Sequence, residues 1–339
     1  MSVAPEELPL IHNSLVFALS AVAGLAAGLV LVKRLEVIGD RLRITPALLG
    51  LVVALAADAP EITASLTALL HHQPAVSTGV VLGSNGFNLA ALLGLGAITA
   101  GGASWARPVM VLEGTTALWL VLMAVLAVTH VLSPTAGLAG ALVVFGPYLV
   151  LAGLRPDRRR RLWLPGPIRR WLCLAVAEEE SDLGLGREVP ASSSRDGPVA
   201  LVAVAAVIAA SEVMERSASA IGRHLDLSAA VIGGVVLAAV TSLPNAVAGV
   251  YLARRGRSAA LLSEAFNSNA LNILAGLLIP SVIFGAGAVT SAGTLTAAWA
   301  LGLTAVVVAA GLVLGRFTPV AGTALIGLYL AFAVILFWT

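Results

Sequence analysis

Ten apolar runs, each long enough to cross a lipid bilayer, dominate the sequence. A crossing helix needs about 20 mostly apolar residues. Reading apolar run against polar break places the crossings near 14–33, 44–70, 76–99, 107–129, 131–154, 199–221, 229–253, 259–285, 292–314 and 318–338. Backbone inside hydrocarbon must satisfy its own hydrogen bonds, so runs of this length have to be helices. Composition agrees. Of the 339 residues 59% are hydrophobic and 11% are charged, against about 25% charged in a soluble domain. This excludes a disordered chain and argues against a water-soluble enzyme. A single cysteine, Cys173, excludes an intramolecular disulfide and any zinc site built from several thiolates.

The one long polar stretch, about 155–197, divides the crossings into two sets of five. It begins RPDRRRRLWLPGPIRRW, turns acidic at EEESD and ends PASSSRDGP. Of the 20 Lys and Arg residues, 18 fall in alternate connections, with nine arginines in this linker. Only Arg216 and Arg223 lie on the far side. Basic residues stay cytoplasmic, so the linker is expected in the cytoplasm and both termini outside, in a plasma membrane of the bacterial inner-membrane type. Glu6 and Glu7 give the N-terminus the wrong sign for a signal peptide, so the first run reads as a retained span.

Five is an odd number, so two homologous halves would sit in opposite orientations, a design of secondary transporters. At an offset of 184 residues the halves do match. LLGLVVALAADAPEITASLTALL aligns with VIGGVVLAAVTSLPNAVAGVYLA, pairing Gly50 with Gly234, Pro60 with Pro244 and Glu61 with Asn245. The same offset pairs Ser84 with Ser268, Asn85 with Asn269 and Asn88 with Asn272.

These motifs carry chemistry. Proline removes a backbone donor and clashes with the preceding turn, so DAPE and TSLPN should break their helices near mid-membrane. Irregular backbone at that depth survives only inside protein or beside a cavity. Carboxylates and carbonyls there are hard oxygen ligands suited to Na⁺, Ca²⁺ or Mg²⁺. Asp58 and Glu61 are three residues apart and share a helix face if the helix continues. Ser84 and Asn88, like Ser268 and Asn272, are four apart and stack on one face. Their oxygens can complete a cation's shell without adding charge. The plain alternative for a Ser or Asn in a span is an interhelical hydrogen bond.

The paired motifs resemble the two alpha repeats of the sodium/calcium exchanger family, the cation/calcium antiporters. In that family each half carries a G-T-S-x-P-E type break followed by a G-S-N-x-x-N/D segment. The resemblance is most specific over about 50–96 and 234–278. It implies an all-α membrane protein of ten transmembrane helices in two inverted five-helix repeats, at 1–154 and 198–339. It also implies a cation site between the repeats and alternating access by sliding of the first and sixth helices. By match to the motifs, Glu61, Ser84 and Asn88 are ligands from the first repeat, and Thr241, Ser242, Ser268 and Asn272 from the second. Ala54 and Ala238 would add backbone carbonyls.

The chain departs from the pattern at several places. Ala57-Asp58 replaces the Thr-Ser pair, Asn245 stands where Glu is usual, and Asn272 where many members have Asp. Asp58 and Glu264, which lies four residues before Ser268, are expected to replace the lost charge. The implied function is antiport, most directly Na⁺-coupled Ca²⁺ exchange. The rivals are H⁺ coupling, transport of Mg²⁺ or Mn²⁺, and an ion sensor that does not transport. The implied partners are inorganic cations and the lipid bilayer, with no nucleic acid and no cofactor. No phosphate loop, Ser–His–Asp or HExxH pattern points to an enzyme.

Other polar residues read more plainly. Glu113 and Glu212 are intramembrane carboxylates, the latter placed to pair with Arg216. His71 and His72 read as solvated turn residues. Trp105, Trp163, Trp171 and Trp338 read as interface anchors, and the arginines of the linker as a topology signal.

Overall fold

The computed structural model describes residues 7–184, 193–285, 287–288 and 290–339. Glu6, Arg187 and the PAS of the linker's end lie outside them. Thirteen helices carry the fold: α1 (Glu7–Arg41), α2 (Pro46–Ala57), α3 (Ala59–Leu70), α4 (Pro74–Thr99), α5 (Arg107–Val128), α6 (Pro134–Gly153), α7 (Gly166–Gly184), α8 (Asp196–His224), α9 (Ala229–Thr241), α10 (Leu243–Arg254), α11 (Ser258–Phe284), α12 (Ser291–Leu314) and α13 (Pro319–Phe337). Among the described residues, eight helices are long and apolar enough to cross a membrane alone, and two bent pairs raise the number to ten. The pairs are α2–α3, bent by 49°, and α9–α10, bent by 44°. The bends fall at Asp58 and Ser242, each two residues before a proline that cannot donate to the carbonyl one turn earlier.

The ends of α1 and α8 correct the expected spans. Lys33 and Arg34 lie inside α1 rather than in a loop, because no breaker occurs before Arg43, whose φ is 55°. At about 1.5 Å per residue, the 35 residues of α1 are longer than the hydrocarbon is thick. Arg34 reaches Asp196 at the start of α8 at 3.0 Å, pinning these two long helices together. They lie at the periphery, while α4 and α11 form the centre. In α4 and α11, 83% and 72% of the most apolar stretch is buried, against 22% and 33% in α1 and α8.

Helices in lipid gain little from apolar contact alone, so close packing of small residues matters. The tightest backbone-to-backbone approach is α4 on α9. A Cβ added to Gly83 would stand 2.2 Å from the Gly234 carbonyl oxygen, and one added to Gly233 would stand 2.3 Å from that of Val76. Three stretches widen to π-helical turns, which insert an extra residue per turn. They are Leu89–Leu95, Ile232–Leu237 and Asn272–Leu278.

Two readings of aromatic and titratable residues change. Trp105 is not an exposed anchor. It is 7% exposed and packs edge-on against Phe317, beside the two-residue pairing of Ala103–Ser104 with Arg316–Phe317. Trp163 and Trp338 are exposed, as expected of anchors. His71 is not simply solvated. Its Nδ1 lies 3.0 Å from Glu215 Oε2, a fully buried carboxylate on α8 that also accepts from Ser219. Arg216 pairs with Glu212 at 2.5 Å on the exposed side of the same helix, as the spacing predicts.

The segment between α6 and α8 is more than a tether. Arg159 is buried, donates to the Leu151 carbonyl at 3.0 Å and forks onto both carboxylate oxygens of Glu180. Glu178 accepts the Ala106 N–H at 2.7 Å, and Asp182 accepts the Ala259 N–H at 2.8 Å. These acids therefore serve donors at the starts of α5 and α11, which have no partner within their own helices.

Candidate cation site

The break between α2 and α3 brings two carboxylates into the middle of the bundle. Asp58 closes α2 and Glu61 opens α3, and neither has any exposed surface. Each meets the second repeat. Ser242 Oγ, at the other break, donates to Glu61 Oε1 at 2.8 Å. Ser268 Oγ on α11 donates to Asp58 Oδ1 at 2.6 Å. The Asn245 amide nitrogen sits between them, 2.8 Å from Asp58 Oδ1, 3.3 Å from Glu61 Oε1 and 3.1 Å from Ser268 Oγ.

The two central helices complete the cluster. Asn88 on α4 donates to Ser268 Oγ at 2.9 Å and to Asn269 Oδ1 at 3.2 Å. Its own oxygen lies 3.3 Å from the Asn245 nitrogen. Asn85 and Asn269 then cross, each side-chain amide donating to the other's backbone carbonyl. The crossing was legible only in part, since the matched Ser-Asn pairs marked the positions but not their contact.

Several oxygens in this region have no hydrogen-bond partner among the described residues. They are Asp58 Oδ2, Glu61 Oε2, Ser84 Oγ, Asn245 Oδ1 and Asn272 Oδ1, all buried. A buried polar atom left unpaired costs about 1–3 kcal/mol, and more when charged. Two carboxylates and neutral hydroxyl and amide oxygens are a donor set for a hard cation. A bound cation would answer both the unpaired oxygens and the paired negative charges.

Two of the ten expected residues stand apart. The Thr241 hydroxyl turns back to the carbonyls of Leu237 and Ala238 on its own helix, at 2.9 and 3.4 Å. Ser242, one residue on, points into the cluster instead, since successive residues of a helix differ by about 100° in direction. Glu264 is buried one helical turn before Ser268, and its Oε1 has no partner among the described residues. Sequence reasoning gave Glu113 little weight. Its carboxylate accepts from Tyr148 Oη at 2.9 Å in a second buried polar cluster, nearer the linker.

Ten crossings, two inverted repeats and a buried acidic cluster where the broken helices meet define the architecture of a membrane antiporter rather than an enzyme. The comparisons with known proteins agree. The family model described as sodium/calcium exchanger protein matches residues 12–155 and 198–338. The chain belongs to that family, and it is a multi-pass membrane protein. It is 27% identical over 247 residues to the inner membrane protein YrbG of Escherichia coli, covering 71% of this chain and 70% of that protein. It is 25% identical over 266 residues to CaxA of Alkalimonas amylolytica, covering 77% and 75%. The crystal structure of the H⁺/Ca²⁺ exchanger CAX superposes with a TM-score of 0.68 at 15% identity, over 99% of this chain and 93% of that one. The sodium-calcium exchanger NCX_Mj, soaked with 100 mM Na⁺ and 10 mM Sr²⁺, gives 0.61 at 18% identity, over 95% and 97%.

Proposed function

We propose that this protein exchanges Ca²⁺ for Na⁺ across the plasma membrane by alternating access. Asp58 and Glu61 supply the charge, and Ser84, Asn88, Ser242, Asn245, Ser268 and Asn272 supply neutral oxygens. The observation that carries the reading is the pair of buried carboxylates of one broken helix, bonded at 2.6 and 2.8 Å to hydroxyls of the opposite repeat. Carboxylates from one half and neutral ligands from the other let relative motion of the halves couple to ion occupancy. A charge with no counter-ion is costly in hydrocarbon, so the loaded, neutralised site is the form that crosses. In this reading the repeats are 1–154 and 198–339, the linker is cytoplasmic, both termini are outside, and α1 and α8 slide against the centre.

Proton coupling is the second reading. Asn245 in place of the usual Glu leaves two carboxylates to share between cargo and counter-ion, and a structure of the same fold is named as an H⁺/Ca²⁺ exchanger.

The test is ⁴⁵Ca²⁺ uptake into proteoliposomes, driven by an outward Na⁺ gradient in one arm and by a pH gradient without Na⁺ in the other. Glu61→Gln is the control. Uptake in the Na⁺ arm that the variant loses supports sodium coupling. Uptake in the pH arm alone moves the coupling to protons. No uptake in either arm overturns Ca²⁺ as the cargo.

A further inference from the structure

A topology signal requires only that the arginines of the linker stay on one side of the membrane. The structure places them more narrowly. The crossing helix α6 ends at Gly153, and the chain stays against it. Buried Arg159 donates back to the carbonyls of Leu151 and Ala152, at 3.0 and 3.5 Å, so residues 155–161 fold onto the end of that crossing. Leu162 and Leu172 pack on the apolar core of the bundle. Arg169 closes the loop between them, donating to the Leu162 carbonyl at 3.3 Å. The segment is therefore held at both ends.

What it turns outward is nearly uniform in charge. Residues 155–174 contain seven arginines and one acid, Asp157. Arg155, Arg158, Arg160, Arg161 and Arg170 are exposed, and among the described residues no carboxylate pairs with any of them. Apolar side chains are interleaved with these charges. Trp163 is 100% exposed, Leu164 and Ile168 are exposed, and Leu174 is 64% exposed on the side of α7 opposite buried Val176. Val143 and Val150 of α6 are exposed as well, so lipid borders that crossing toward its last turn. An indole at the membrane boundary sits at headgroup level. Arginine lays its stem along apolar surface and keeps its head in the polar layer. Its planar fork of N–H donors matches phosphate oxygens.

We propose that residues 155–174 form an interfacial apron that binds the headgroups of anionic phospholipids in the leaflet on the linker side. Trp163, Leu164 and Leu174 enter the boundary between headgroups and acyl chains, and the exposed arginines hold the phosphates. A zwitterionic lipid carries a phosphate too, but its own ammonium group offsets that charge, so the selectivity is for a net negative headgroup. An acidic protein partner would need these arginines to face water. The fold-back onto α6 and the bare indole put them at the edge of the bilayer instead. Each such arginine raises association with an anionic surface by roughly fivefold. The apron rests on the crossing of the membrane by α6 and is independent of which ion is transported.

Quenching by brominated lipid tests the apron in the full-length protein. The emission of Trp163 is the difference between wild type and Trp163→Phe, both reconstituted in phosphatidylcholine vesicles. Brominated phosphatidylglycerol is titrated into one series and brominated phosphatidylcholine into the other. The anionic lipid should halve the Trp163 emission at a mole fraction roughly fivefold or more below that of the neutral one. That preference should vanish in about 1 M salt, where the screening length is about 3 Å. It should also vanish in the triple variant Arg158→Gln, Arg160→Gln, Arg161→Gln. An unchanged melting temperature in detergent is the folding control for that variant, and the salt series on the wild type decides if it is lowered. Equal quenching by the two lipids overturns the selectivity for negative headgroups. No quenching by either places Trp163 in water, as a protein partner would require, and overturns the apron. A preference that survives in the folded triple variant removes these arginines from the site.

Discussion

Asn85 and Asn269, 184 residues apart in sequence, exchange hydrogen bonds: each side-chain amide donates to the other's backbone carbonyl, at 3.2 and 3.0 Å. The two central helices are tied where the repeats cross, three residues from Asn88 and one from Ser268. Either asparagine replaced by alanine removes one crossing hydrogen bond, while each carbonyl keeps its acceptor bond within its own helix, from the N–H of Leu89 and of Asn272, so the cost is about 0.5–1.5 kcal/mol. The Asn85→Ala and Asn269→Ala effects should be non-additive by about 0.5–3 kcal/mol in a double-mutant cycle, as for residues in one network. Thermal unfolding of the purified protein measures it. Strict additivity would mean that the crossing is not a coupled unit.

Asp58→Asn and Glu61→Gln keep the shape of the site and remove its charge. Exchange should fall by roughly 100-fold or more for each, an estimate from the ~3 kcal/mol scale of a lost charge-assisted contact. Stability should hold or rise, since uncompensated buried charge is destabilising. Tracer flux and melting temperature, measured on the same preparations, separate a ligand from a structural acid. Normal flux in the double variant would remove these residues from the site.

Gly83→Ala is predicted to be severe for so small a change. The new methyl group would overlap the backbone of α9, which has no side chain to rotate away. Overpacking of this kind costs about 1–3 kcal/mol. Gly302→Ala, where no atom lies within 4 Å, is the matched control and should be neutral or better, because alanine is the stronger helix former.

Arg159→Ala breaks a buried ion pair and strands Glu180. The expected cost is about 3–5 kcal/mol for removing one partner of such a pair, read as a lower melting temperature. Removing both, in Arg159→Ala with Glu180→Ala, should recover part of the loss. No recovery would mean that the backbone carbonyls of Leu151 and Ala152, to which Arg159 also donates, carry its contribution rather than the ion pair.

Cys173, the one cysteine in the sequence, lies half-buried in α7 and reports on orientation. A membrane-impermeant maleimide should label it in inverted vesicles and not in right-side-out ones. The opposite pattern would reverse the topology that the arginines imply.

The spans were legible because hydrocarbon imposes a length and forbids polar breaks, and the bends because Pro60 and Pro244 interrupt a ladder. Asp58, Glu61, Asn88, Ser242 and Ser268 were legible for the same reason, since polar side chains at such depth stand out. What failed depends on angle and on tertiary contact. Thr241 and Ser242 differ by one step of helical phase, which no motif match resolves. EEESD read only as the acidic part of a linker because its partners include the N–H groups of Ala106, Ala259 and Ala260, distant in sequence and of a kind that leaves no side-chain signature. The His71–Glu215 pair escaped notice likewise, joining residues 144 apart.

The π-helical turns belong to the repeat. Leu89–Leu95 and Asn272–Leu278 lie at matching places in the two halves, displaced by only one residue from the repeat offset. A π turn is rare and is found most often at functional sites. The same rare turn at the same place in both halves sets the rotation of each central helix just beyond its Ser-Asn pair, so the two pairs meet with matching phase.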